Sequence, residues 1–379
     1  MRPGRAREQS RSGNVTPAIL TLNAGSTSLK ASLRLLDAPT QVLWSSQATA
    51  ERDGWRLDIV GPGETVNGGL EEVASRILDQ AAIDIPSVEI AVVAHRIVHG
   101  GADFSEPTIL DDVKIGRLRD LTRYAPQHQG PALDIAQSLG IAQPDTLQIG
   151  CFDTAFHASI SPLNYELPLY EGLRKLGYRR YGFHGLSYQS IAARLSAERP
   201  ELERVVVAHL GGGSSLCALH HGRSVATTMG MTALDGVPMK TRSGAIDPGV
   251  ILDLVKDAGV EVVEDLLYHK SGLASLSGTD GDLRTIRATD TEAAAFAVDY
   301  WVLRIAEAAA ALGVSLGGMQ ALVFTGGVGS NDIAIGDAVA ARLHHLPSFE
   351  LIRLRTDEEL VLAQAAQTLI GRQAREPQK

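Results

Sequence analysis

Two stretches far apart in this chain are built on one plan. Residues 18–33 read AILTLNAGSTSLKASL, and residues 205–219 read VVVAHLGGGSSLCAL. Each is an apolar β-type run, a tight turn of Gly with small hydroxyl residues, and a second β-type run. Such a turn offers backbone N–H groups, hydroxyls and little side-chain bulk, which suits a polyphosphate. Two copies predict a duplicated fold that closes on one nucleotide from both sides.

At 379 residues the chain exceeds the usual limit of a single core, so two domains are expected. A hydrophobic content of 44% with 21% charged residues is that of an ordinary globular protein. The net charge of −9 and the dispersal of Lys and Arg exclude a nucleic-acid binder that relies on a basic face. No run of apolar residues is long enough for a transmembrane helix, so no membrane partner is expected. Cys151 and Cys217 both sit in apolar runs without a CxxC, which reads as buried thiols in a reducing cytoplasm. The first 16 residues hold four Arg and no apolar segment, so they read as a disordered extension rather than a secretory signal.

Strand-like runs fall at 18–22, 31–36, 90–94, 147–152, 204–208, 215–219, 321–325 and 348–354. Helical periodicity marks Leu70–Ala81, Pro131–Leu139, Ser187–Glu198 and Val250–Ala258. The Ala-rich segment Thr291–Gly313 reads as a long helix with Gly313 just past its end. Hairpins followed by alternating helices and strands point to an α/β fold with mixed sheets. The expected division is 17–153 for a first domain and 154–359 for a second. The last amphipathic helix, about 360–379, returns to the first.

Polar residues gather where apolar runs end, the place open α/β sheets put their ligands. One run leads into His95-Arg96-Ile97-Val98-His99, another into Asp153-Thr154-Ala155-Phe156-His157, a third into Thr325-Gly326-Gly327-Val328-Gly329. Two basic turns, Arg179–Gly185 and Met239–Gly244, lie between them. Singly, each has an ordinary explanation: an ion-paired Arg, a core His, a Gly turn, a capping Asp. None of the loops is a GxGxxG or GxxxxGK[ST] fingerprint. Together they supply what phosphoryl transfer needs, because that reaction depends on positioning and on neutralising equatorial oxygens.

These residues resemble a known family over nearly the whole chain, from about Ala18 to about Ala363. The segments LNAGSTSLK, HRIVHGG, FDTAFH, RRYGFHG, HLGGGSS, TRSGAIDPG, SGLASLSG, FTGGVG and TDEEL follow, in order, the motifs of the acetate kinases. These belong to the sugar kinase/Hsp70/actin superfamily. The resemblance implies a duplicated two-domain actin-like ATPase (ribonuclease H-like) fold with a cleft between domains. It also implies a homodimer that turns ATP and a short carboxylate into ADP and an acyl phosphate, with Mg2+ or Mn2+ in its place.

Carried over, Asn23 and Glu358 would serve the metal, with Ser26 in the same loop as Asn23. Arg96 and Arg242 would hold the substrate carboxylate and the phosphoryl group. Asp153 would position the acceptor or organise the metal site, and His184 would donate to the phosphoryl oxygens. Val98, Phe183 and Gln127 would line the acceptor pocket. His209, Gly211, Gly212 and Gly213 match the phosphate turn, and Asp282, Arg284, Gly327, Gly329 and Asn331 the adenosine segments.

The chain departs from the family pattern at several of these places. Gly212 stands for a usual Asn, Ala226 and Ala245 for Asp, Lys240 for Gly, and Ser330 for Glu. In the acceptor pocket Gln127 replaces Leu and Ala233 replaces Pro. The segment between Asn331 and Thr356 is short. Acetate is the expected acceptor, with propionate or a small polar carboxylate as alternatives. A nucleotide-binding switch without turnover and an alcohol kinase are further alternatives. Paired Arg96 and Arg242 speak against the last, since a neutral sugar would not need both.

Overall fold

The computed structural model describes residues 15–25, 27–52, 54–58 and 63–375. Ser26, residues 1–14 of the expected extension and residues 376–379 lie outside the described residues.

Among the described residues, thirteen strands form two sheets. The first holds β1 (Thr16–Ala24), β2 (Ser28–Leu35), β3 (Val42–Glu51), β4 (Gly54–Asp58), β5 (Glu64–Val66), β6 (Val88–Ile97), β7 (Thr108–Ile109) and β8 (Leu147–Phe152). Their order is β5-β4-β3-β2-β1-β6-β8-β7. The second holds β9 (Arg204–Leu210), β10 (Ser214–His220), β11 (Arg223–Thr227), β12 (Ala321–Thr325) and β13 (Glu350–Arg353), in the order β11-β10-β9-β12-β13.

The duplication is legible in the pairing. β1 runs antiparallel to β2 and parallel to β6, which runs parallel to β8. β9 runs antiparallel to β10 and parallel to β12, which runs parallel to β13. Each glycine-turn hairpin therefore occupies the same place in its own sheet. Because β1, β6 and β8 are parallel, their C-terminal ends share one edge, and those ends carry Asn23, Arg96 and Asp153.

Both central strands are buried on two faces, so their alternate residues enter different cores. In β9, Val206 and Ala208 pack with Trp301, Ile305 and Ala309 of the helix Glu292–Leu316. Val205 and Val207 pack with Tyr188, Ile191 and Leu195 of the helix Gly185–Glu198. In β1, Leu20 and Leu22 meet Val73 and Ile77 of the helix Leu70–Asp84, while Ile19 meets Leu362 and Ala366. Each such Val, Leu or Ile side chain contributes roughly 1.5–3 kcal/mol by leaving water.

The helix Glu358–Gln373 lies against β1 and β6 of the first sheet. Asp357 caps its start by accepting from the Leu360 N–H, and buried Arg34 donates to the same carboxylate at 3.0 Å. Glu358 is thereby delivered to the edge where Asn23 and Arg96 end their strands.

The long Ala-rich helix does not stop at Gly313. It runs to Leu316, and Gly317, in the left-handed region at φ 66°, ends it by donating to the carbonyls of Gly313 and Val314. Gly313 is an interior glycine, and the positive φ at 317 is what requires glycine.

Candidate active site

The strand ends of the first sheet and the terminal helix build one polar knot. Arg96 donates from Nε and Nη2 to a single oxygen of Asp153, at 3.0 and 2.7 Å, and from Nη1 to Asn23 Oδ1 at 3.0 Å. Asn23 Nδ2 donates to Glu358 at 2.9 Å and to Glu359 at 3.1 Å. Burial works against the Arg96 charge, but Asp153, Glu358 and Glu359 around it hold the guanidinium above its ordinary range. Burial likewise opposes the Glu358 charge, and Arg96, His209 and the Asn23 amide hold that carboxyl below its usual range. Asn23, Arg96, Asp153 and Glu358 are thus brought together.

A second cluster faces the first. His184 precedes the helix Gly185–Glu198 in the left-handed region, at φ 57°, a conformation costly for a residue with a Cβ. Its ring stacks on His209 with centroids 4.2 Å apart, and its Nδ1 meets Ser215 Oγ at 2.8 Å. A Cβ added to Gly213 would lie 3.2 Å from His184 Nε2 and 4.0 Å from Arg242 Nη1. The glycine turn Gly211–Gly213, His184 and Arg242 therefore adjoin.

The two guanidiniums differ in their company. Arg242 has no carboxylate partner among the described residues; its Nη1 donates to the Ala233 carbonyl at 3.3 Å and approaches Met239 Sδ at 3.7 Å. Burial pulls it below the ordinary arginine range, offset in part by Tyr268. An under-paired buried cation is costly unless it meets an anion. Both guanidiniums help to hold His184 and His128 below the ordinary histidine range.

His128 escaped the sequence reading. Burial first, then Arg242 and Arg96, push its imidazole down to about 3, so it stays neutral between them. The only signal was its place after Gln127 in the Ala-Pro-Gln-His turn. Glu359 was missed as well, beside Glu358.

Val98 and Phe183 join Ala125, Met229 and Met239 in a small apolar cluster, with Ala233 at its edge. Gln127 is not part of it. Its amide pairs with His269 Nε2 at 2.9 Å, linking the turn before the helix Gln129–Ala142 to the end of the helix Val260–His269.

Beyond the glycine turn opens a cavity of about 690 Å³, within the usual range for small-molecule sites. Gly211, Gly212, Asp282, Arg284, Gly327 and Asn331 line it, joined by Lys240, Arg287 and Trp301. Asp282 caps the helix Leu283–Ala288 and holds Arg284 at 2.9 Å. Gly329 is set apart: it is buried against Ala208, Phe324 and Leu210. Ser330 donates to the Gly326 carbonyl at 2.7 Å, and Asn331 Nδ2 to the Gly327 carbonyl at 2.9 Å.

The arrangement is a row: apolar cluster, part-buried cations with neutral imidazoles, glycine turn, large cavity. No group of three or more His, Cys, Asp or Glu placed to hold a metal occurs among the described residues. No helix among them is long and apolar enough to cross a membrane.

A model of the Acetokinase family matches residues 18–375. The acetate kinase of Nitrobacter hamburgensis is 36% identical over 393 residues, covering 93% of this chain and 96% of that protein. A propionate kinase structure from Francisella tularensis superposes with a TM-score of 0.84 at 27% identity, covering 92% of this chain and 98% of that one. The acetate kinase structure from Entamoeba histolytica gives 0.82 at 27% identity, covering 93% and 99%. The duplicated actin-like fold expected from the sequence is the fold shared with these structures. With its ordered motifs, paired sheets and family match along nearly the whole length, the chain belongs to the acetokinase family.

Proposed function

We propose that this enzyme moves the γ-phosphoryl group of ATP onto the carboxylate of acetate, giving ADP and acetyl phosphate, reversibly. The observation that carries the reading is Arg242: a part-buried guanidinium without a carboxylate partner among the described residues, between an apolar cluster and a glycine turn. An acceptor carboxylate seated against Val98 and Phe183 would complete it.

A carboxylate oxygen is already a nucleophile at neutral pH, so the site needs no strong base. It attacks the γ-phosphorus as the bond to the ADP oxygen breaks, in line and without a phosphoenzyme. The barrier lies in bringing one anion to another, and Arg96 with Arg242 opposes that repulsion. His184 donates to an equatorial oxygen, and Asp153 fixes the Arg96 fork.

Glu358 and Glu359, which both accept from Asn23 Nδ2, offer the carboxylate oxygens that would hold Mg2+ together with substrate phosphates, and Asn23, whose Oδ1 accepts from Arg96, would orient them. The ion would supply further neutralisation of the phosphate oxygens. Assembly as a homodimer belongs to the same reading. It is supported by the helix Pro248–Ala258, none of whose residues is buried although Val250 and Leu252 are apolar.

Propionate is the second acceptor to weigh. Ala233 at the edge of the apolar cluster is small, and the Francisella neighbour carries the name propionate kinase. The hydroxamate assay with acetate, propionate, butyrate and glycolate at equal concentration tests the reading. Acyl hydroxamate from acetate or propionate supports it. ATP binding with no acyl phosphate from any acid would favour a switch without turnover.

A further inference from the structure

The glycine turn runs from the buried cations out to the cavity. At its inner end Gly213 faces His184 and Arg242. Gly211 and Gly212 line the cavity, and a Cβ on Gly212 would meet nothing within 4 Å, so the turn presents bare backbone there. The Lys240 N–H donates to the Gly212 carbonyl at 3.3 Å, which sets Lys240 beside that stretch, and Lys240 lines the same cavity.

The charges on the cavity wall are unevenly committed. Arg284 is paired with Asp282 at 2.9 Å, and Arg287 donates to Asp332 Oδ1 at 3.0 Å. Lys240 Nζ stands 3.8 Å from an Asp280 carboxylate that is 56% exposed. A pair so long and so exposed contributes little. Lys240 is the wall's surplus cation, on a flexible stem, beside a turn with no side-chain donor.

We propose that Lys240 is a polyphosphate-binding residue that contacts the β-phosphate, the phosphate left terminal on ADP after transfer. This rests on the reading above, in which the transferring group lies at Gly213 between His184 and Arg242. The next phosphate outward then lies along Gly212, in reach of Lys240, and the nucleoside fills the remaining cavity. As the bond to the γ-phosphorus breaks, negative charge gathers on the β-phosphate, where an ammonium acts as a mobile point charge. Lys240 thereby supplies the donor that Gly212 lacks.

Titration calorimetry with ATP, ADP, AMP and adenosine, each with Mg2+, on the full chain and on Lys240→Met and Lys240→Arg tests this. Loss of one charge-assisted contact predicts that Lys240→Met weakens ADP and ATP about tenfold and AMP and adenosine less than about twofold. Lys240→Arg recovers most of the difference. ADP affinity within twofold of the parent in Lys240→Met overturns the proposal. So does an equal loss for ADP, AMP and adenosine, which would mean a collapsed cavity. If the parent itself binds no nucleotide, the reading of the whole site falls and Lys240 with it. If parent and Lys240→Met bind ADP alike, only Lys240 falls.

Discussion

His184 stacks on His209, ring centroids 4.2 Å apart and planes inclined by 18°. Burial first, then His209, Arg96, Arg242 and His128, holds His184 well below the ordinary histidine range. A chain of hydroxyls sets its tautomer. Tyr188 and Ser215 oxygens are 2.6 Å apart, and Ser215 meets His184 Nδ1 at 2.8 Å. If Nδ1 carried the proton, Ser215 Oγ would have to accept it, and one hydroxyl hydrogen of this chain, that of Ser215 or that of the fully buried Tyr188, would be left without an acceptor in it. With Ser215 donating to Nδ1, every hydrogen is used and Nε2–H is free to donate beside Gly213.

That assignment predicts that His184→Gln, whose amide can place a donor near Nε2, retains more turnover than His184→Ala. The alanine variant should lose about 10²–10³ in kcat. No inflection from His184 is expected in kcat between pH 6 and 8, because the ring stays neutral there. Steady-state kinetics of both variants over that range is the check. Equal activities, or a step near 6.5, would contradict the tautomer.

Arg96 and Arg242 should separate in stability although the proposed reaction uses both. Removing Arg96 leaves Asp153 buried and unpaired, a change that typically costs about 3–5 kcal/mol. Removing Arg242 strands no carboxylate. Arg96→Met is expected to lower the urea midpoint sharply, while Arg242→Met leaves it unchanged or raises it and abolishes turnover. Arg242→Lys should remain poor, since a point charge cannot replace a planar fork.

Gly213 and Gly212 make a steric contrast one residue apart. A methyl at 213 presses on His184 Nε2 from 3.2 Å, whereas a methyl at 212 enters open space. Gly213→Ala should fold normally and lose about tenfold or more in kcat, as misplacement of a catalytic group by a fraction of an ångström does. Gly212→Ala should stay within a few-fold of the parent. Thermal melts and initial rates measure both.

Buried neutral histidines set the acid limit of stability. Burial pushes His95, His99, His157 and His209 down to about 4, and His128 to about 3. The unfolded chain takes up these protons near pH 6.5 while the folded chain does not. Stability is therefore full only about a pH unit or more above 6.5 and is lost as pH falls through 6.5 toward about 4, by up to about 1.4 kcal/mol per pH unit for each ring. Urea midpoints at pH 8.5, 7.5 and 5.5 should be similar for the first two and clearly lower at the third. A flat series contradicts the burial.

Both glycine hairpins were legible because a two-residue period and a turn are local facts. The strands β3 and β4 were not. In β3 exposed and buried positions alternate, and buried Ser46 is satisfied by the Asp58 carbonyl at 2.9 Å, a partner that no single run of residues reveals. The helix end was misplaced because Gly313 and Gly317 look alike in sequence, and only the backbone angle at 317 separates them. At the site, strand-end residues such as Arg96 and Asp153 could be picked out from the runs they close. His128 stands out only when its turn, before the helix Gln129–Ala142, comes near Arg242 from the other half of the chain.

The most direct test of the account is phosphorus NMR of a reaction of ATP with acetate labelled by oxygen-18 in the carboxylate. The account predicts an acetyl phosphate resonance carrying the isotope shift of a labelled bridging oxygen, and none from Arg242→Met. ATP bound tightly with no such resonance would contradict it.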